Sequence, residues 1–190
     1  VDNYIEIGAK LTETTQKVII QNMRPMEKGI LDFSLETLKL NKRKLDNTII
    51  AQAQKFLAEN PSPIWTDKNK ISIQWDWVYA HSRIDMAQRF KKSLLYECPV
   101  QVIRIGDIAI VGVPGEPFVE EQLRIKLNSP ALFTFCAHMT NDSAGYIPTE
   151  QAFINGGYET ETANWSCLAP DSLKRIGDCS VKVLKNIYCE

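Results

Sequence analysis

The residue pattern predicts an α/β protein in which a mixed β-sheet is covered by helices. Three features carry that expectation. Val100 to Ile105 and Ile108 to Val113 are apolar runs of strand length joined by Gly106-Asp107, the signature of a hairpin. Segments with apolar residues at helical spacing stand on both sides of this pair, at 42–60, 116–127 and 171–188. No internal repeat, low-complexity tract or linker interrupts the succession, so residues 1–190 read as a single domain.

The elements follow in chain order. Between Tyr4 and Ile20, the residues Ile7, Leu11 and Val18, with the small Ala9, recur loosely at helical spacing. This predicts a packing helix, which cannot pass Pro25. Ile30 to Leu40 alternates Leu31, Phe33 and Leu35 with Asp32, Ser34 and Glu36, which predicts an edge or meander strand that buries its apolar face. Lys42 to Asn60 places Leu45, Ile49, Ala53, Phe56 and Leu57 on one helical face and its charges on a solvated one, and Asn60-Pro61-Ser62-Pro63 ends it. Trp75 and Trp77, two apart in the alternating stretch 71–77, predict a strand with both indoles on one face, followed by a short helix over 82–92.

After the hairpin, Pro114-Gly115 breaks the strand, and Phe118, Val119, Leu123 and Leu127 predict a helix from Glu116 to Leu127. Ala131 to Met139 has strand length and leads into the polar loop 140–145. Thr149 to Ile154 predicts one helical turn stopped by Gly156-Gly157. Leu173, Ile176, Val181, Leu184 and Ile187 predict a closing amphipathic helix.

Composition removes several function classes. Twenty-two basic against 23 acidic residues leave a net charge of −1, so no basic field exists to select nucleic acid or an anionic membrane. No apolar run approaches the roughly 20 residues that a membrane span needs. Val1-Asp2-Asn3-Tyr4 is unlike a signal peptide, which leads us to expect a processed product or a piece of a longer chain. Five cysteines without a CxxC pair make neither a disulfide framework nor a zinc knuckle, leaving one bridge among Cys167, Cys179 and Cys189, or free thiols, as alternatives.

Catalytic groups collect where strands end, and two such ends occur here, at Glu116 and Tyr146. Taken alone, a glutamate at a helix start complements the helix dipole, and a tyrosine after a strand packs a loop. His81 reads as an exposed hydrogen-bonding residue. His138 precedes the loop and could line a pocket. Cys136 and His138 share a strand face, a placement that does not give nucleophile–base geometry. Ser143 lacks a Gly-x-Ser-x-Gly elbow and reads as loop polarity.

Together these features are more specific. The strand–turn–strand Val102 to Val113 leads into Pro114-Gly115-Glu116, a helix, a strand ending at Asn141-x-x-x-x-Tyr146, and then Thr149 and Tyr158-Glu159. This order resembles the C-terminal part of the catalytic domain of neutral/alkaline, non-lysosomal ceramidases, most closely bacterial-type members. The resemblance implies an amidohydrolase that cleaves the N-acyl amide of ceramide or a related lipid, secreted, periplasmic or at the cell surface. It implies Glu116 and Tyr146 as ligands of a catalytic Zn2+, and Tyr158 as the hydrogen-bond donor to the substrate carbonyl or developing oxyanion. His138 and Asn141 would support the site from behind.

In that family two histidine ligands and the active-site serine segment lie upstream of the matching region, and His81 and His138 stand at neither histidine position. The resemblance therefore implies that this chain needs the upstream half of the same catalytic domain, is inactive without it and binds zinc weakly alone. Pro117-Phe118-Val119 replaces threonines that animal members carry after Pro-Gly-Glu, so the substrate stays open. Two alternatives also stay open: a non-enzymatic α/β binding or structural domain in which Glu116 caps a helix, and a complete hydrolase built on His138.

Overall fold

A computed structural model describes residues 3–24 and 29–189. The α/β expectation holds. Four strands make the main sheet, in the order β1 (Leu31–Asn41), β2 (Leu95–Ile105), β3 (Ile108–Gly112), β5 (Phe133–Ala137). β1, β2 and β3 are antiparallel neighbours, and β5 joins β3 in parallel. The β2–β3 hairpin turns at Gly106-Asp107 as the sequence predicts, with Gly106 at φ +58°.

A parallel neighbour needs a crossover, and helix α4 (Val119–Asn128) supplies it. α4 packs beside the long C-terminal helix α6 (Ser172–Cys189), and Arg124 of α4 bridges Glu121 on its own helix to Asp178 on α6. The buried face of α6 consists of Leu173, Ile176, Val183, Leu184 and Ile187, so the predicted amphipathic helix forms and closes the core. It lies against Leu40, Val100, Val102, Val111 and Cys98, residues that are fully buried. Each such aliphatic side chain contributes roughly 1.5–3 kcal/mol on burial. Burial also pushes the Cys98 thiol up to about 12, and all five cysteines are free.

Among the described residues the helices that pack on this sheet, α4 and α6, cover one side of it, and that corrects the reading of β1. Leu31, Phe33 and Leu35 were expected to face the core; they are 77%, 69% and 55% exposed. The strand buries its other face, with Leu38 and Leu40 against α6. The strand register continues the exposed surface across all four strands, through Phe33, Ile103, Ile110 and Phe135 in one row and Leu31, Ile105, Ile108 and Phe133 in the next.

Other elements differ from expectation for local reasons. Helix α1 (Asn3–Asn22) forms but buries no residue, so it is not a packing helix here; Pro25, expected to stop it, lies outside the described residues. α2 (Asn47–Glu59) starts later than predicted because Lys42 still bridges to Leu168 and Asp46 caps the helix through Thr48 N–H. The Trp75/Trp77 strand is instead the start of helix α3 (Trp75–Phe90). Helical i,i+4 spacing separates the two indoles: Trp75 meets Tyr79, while Trp77 stacks on the exposed His81, ring centroids 5.2 Å apart. α2 and α3 pack on each other.

Leu184→Ala is expected to lower the unfolding free energy by about 2–5 kcal/mol, whereas Leu31→Ser on the uncovered face is expected to change it by less than about 0.5 kcal/mol. Urea denaturation of the two variants checks the assignment of faces.

Candidate functional site

Glu116 and Tyr146 do not sit at a helix start and in a loop. Glu116-Pro117 is a short strand, β4, and Tyr146-Ile147 is another, β6; they pair in parallel with Glu116 opposite Tyr146. α4 begins only at Val119, with Phe118 in the capping position, so Glu116 is not the cap of that helix. Neighbouring strands run about 4.8 Å apart and paired residues share a face, which puts the carboxylate and the phenol on one side of the ladder.

Each of the two residues follows a glycine, and backbone geometry explains why. Gly115 (φ +99°) accepts from Met139 N–H (2.9 Å), and a Cβ there would stand 2.5 Å from Gly145 O, the carbonyl that accepts from Glu116 N–H at 2.8 Å. A Cβ on Gly145 (φ +69°) would stand 2.2 Å from Trp165 O, which accepts from Tyr146 N–H at 2.6 Å. Three segments around 116, 146 and 165 thus meet through main-chain bonds that no larger residue at 115 or 145 permits.

The third segment brings in Tyr158. Trp165 Nε1 donates to Tyr158 O (3.1 Å), and Tyr158 Oη donates to Tyr146 Oη (3.2 Å) with the rings edge to face, centroids 5.4 Å apart. Donation to Tyr146 favours the neutral phenol and, aided by partial desolvation and the negative charges of Glu159 and Glu116, pushes Tyr158 up to about 12. Tyr158 is therefore a protonated donor at neutral pH. It is also half exposed, so the cluster opens to solvent.

The loop between β5 and β6 is tied down on its far side. Tyr96 donates to Asp142 (2.9 Å), and burial together with that bond pushes its pKa well above the ordinary phenol value. Asn141, at φ +67°, donates through Nδ2 to Gln101 Oε1 (3.1 Å). His138 is exposed at the end of β5. The fold thus gathers Glu116, Tyr146 and Tyr158 into one cluster and leaves Asn141 and His138 at the surface beside it.

Sequence reasoning missed Arg43, two residues past the end of β1. Its guanidinium donates to Thr160 O, Ser166 O (2.6 Å) and Ser166 Oγ (2.8 Å), and lies 4.8 Å from the Phe153 ring centroid. It staples the segment that carries Tyr158 and Trp165 to the main sheet. The only local signal was a basic run, Lys42-Arg43-Lys44, which composition alone assigns to solvent.

The donor set fits a zinc ion in part. A carboxylate and a phenol are hard oxygen donors, and a second phenol aimed at the ligand phenol would stabilise its anionic form. Among the described residues no group of three His, Cys, Asp or Glu converges that could hold a metal on its own. The cluster offers two oxygen donors where a catalytic zinc takes three protein ligands and keeps one position open.

Over 67 residues the sequence is 30% identical to the neutral ceramidase of Mycobacterium tuberculosis (strain ATCC 25618 / H37Rv), a match covering 32% of this chain and 10% of that protein. The chain is similar to neutral ceramidases. It spans about a tenth of the length of that ceramidase. Two solved ceramidase structures overlap it more loosely. One, described as a ceramidase complexed with C2, has a TM-score of 0.43 and 19% identity over 50% of this chain and 15% of that one. The neutral ceramidase of Pseudomonas aeruginosa has a TM-score of 0.49 and 13% identity over 84% of this chain and 28% of that one. No family model matches the chain. Among the described residues no helix is long and apolar enough to cross a membrane.

Replacing Tyr146 by Phe removes the acceptor for Tyr158, the largest cause of its shift, so the Tyr158 pKa is expected to fall from about 12 toward the ordinary phenol value of about 10. Because the folded value is raised, the stabilising contribution is complete below pH 10 and lost as pH rises through 12. Site-resolved NMR of 13Cζ-labelled tyrosine reads both values.

Proposed function

We propose that this chain is the C-terminal section of a neutral-ceramidase-like zinc amidohydrolase acting on the N-acyl amide of ceramide or a related lipid. The observation that supports it most is the pairing of Glu116 with Tyr146 across β4 and β6, with the Tyr158 hydroxyl at the Tyr146 oxygen. Glu116 and Tyr146 would hold the zinc together with nitrogen donors from an upstream half of the same domain. When bound, zinc supplies Lewis-acid polarisation of the scissile carbonyl and lowers the pKa of the attacking water.

The chain's own residues do the remaining work. Tyr158, neutral at physiological pH, donates its proton in a hydrogen bond to the carbonyl oxygen as negative charge grows there, an interaction stronger in the transition state than in the ground state. Its present bond to Tyr146 keeps the hydroxyl beside the metal ligands until a substrate oxygen takes over as acceptor. Arg43 fixes the segment carrying Tyr158, which lowers the reorganisation needed at that step.

On this reading the 190-residue chain is silent by itself. In the protein completed with its upstream half, Glu116→Gln is expected to abolish hydrolysis of a fluorescent N-acylsphingosine. Tyr158→Phe is expected to lower kcat by roughly 10²–10³ with little change in KM, as for loss of one oxyanion donor. Turnover by the isolated chain, or an unchanged kcat in Tyr158→Phe, would overturn the proposal.

A further inference from the structure

The outer face of the four-stranded sheet is an apolar layer with nothing on it. Phe33, Leu35, Phe133 and Phe135 are 69%, 55%, 59% and 58% exposed, and the register rows that contain them carry no charged residue on β2, β3 or β5. The exposed apolar area is on the order of 700 Å², above the usual largest patch of a monomer and close to one partner's share of a standard interface. The sheet also contains the parallel pair β3–β5, a type of pairing that is normally covered on both faces.

Helix α1 shows the same need. Glu6, Lys10, Glu13 and Lys17 form ion pairs along one side, and Tyr4, Ile7, Leu11 and Val18 share the other with nothing against them. An isolated helix of this length is marginal in water and gains its stability from packing that stripe.

We infer that the outer face of the β1–β2–β3–β5 sheet, with the apolar stripe of α1, is the surface on which polypeptide preceding Val1 packs as a second apolar layer. The inference rests on the ceramidase-like reading above and adds to it the place where the two halves join. Three observations favour this occupant over a second copy. The match of 67 residues, 32% of this chain, covers only 10% of the ceramidase relative, so most of such a protein lies outside these residues. β3 and β5, which run through the uncovered face, are the strands whose C-terminal ends lead to Glu116 and Tyr146, so a layer packed there ends beside the half-built site. A second copy would cover the face but bring to the site only the same oxygen donors and the two exposed histidines.

Hydrogen–deuterium exchange tests this on two polypeptides: the 190-residue chain, and the chain extended upstream with the coding sequence that precedes Val1. The extended protein is expected to slow exchange in the edge strands β1 and β5 by roughly tenfold or more. Phe33→Lys with Phe135→Lys is expected to abolish that gain while leaving the circular dichroism and urea midpoint of the 190-residue chain unchanged. If the lysine pair prevents the extended protein from folding, Phe135→Ser is expected to remove part of the gain. Equal exchange in the two polypeptides would overturn the inference. So would a stable dimer of the 190-residue chain, seen by sedimentation, that the lysine pair dissociates. A protected face in an extended protein that hydrolyses no ceramide would support the docking surface and end the ceramidase reading, so the two failures are distinct.

Discussion

Everything proposed for this chain hangs on two strands of two residues each. β4 and β6 are too short to be stable by their own ladder, and what holds them is the approach of Gly115 to Gly145 and of Gly145 to Trp165. Those contacts lie at the C-terminal ends of β3 and β5, two strands made adjacent by the α4 crossover and clamped from one side by α4 and α6. Core packing therefore sets the separation of Glu116 and Tyr146, and the glycines convert that separation into a register. A side chain at either glycine would push the segments apart before any chemistry could be considered.

The main sheet is covered on one side and bare on the other, and the site stands at its end. Arg43 joins these features, because it follows β1 by two residues and reaches the 158–167 segment, so the edge strand of the sheet anchors the Tyr158 side of the cluster. Among the described residues the sheet has a packed core on one face and an uncovered apolar face on the other, and the carboxylate and phenol pair stands at its end. In the proposed reading these features belong together, because a second layer and further metal donors would come from the same missing polypeptide.

Much of this was legible in the sequence where local and global preferences coincide. The β2–β3 hairpin, the closing helix α6 and the strand that becomes β5 are marked by periodicity and turn chemistry that the packing reinforces. Where they diverge, the sequence misleads. Trp75 and Trp77 alternate like a strand, yet Trp75 packs on Trp165 and Trp77 on His81, and only a helix aims them apart. The alternation of Leu31, Phe33 and Leu35 reports a face built to be buried; which face α6 occupies depends on residues more than a hundred positions away. Glu116 read as a helix start because the apolar spacing of α4 begins at Phe118, and its strand pairing depends on Tyr146 thirty residues later. Arg43 showed only as part of a basic run, since its partners, the carbonyls of Thr160 and Ser166, the Ser166 hydroxyl and the Phe153 ring, lie more than a hundred positions away.

Glu116 and Tyr146 are proposed here as zinc ligands in a site completed from outside these residues. Metal content of the purified extended protein, measured by plasma mass spectrometry after dialysis, tests it most directly. The expected result is one zinc per chain, lost in Glu116→Gln with Tyr146→Phe and not acquired by the 190-residue chain alone. Zinc retained in full by that double variant would contradict the claim.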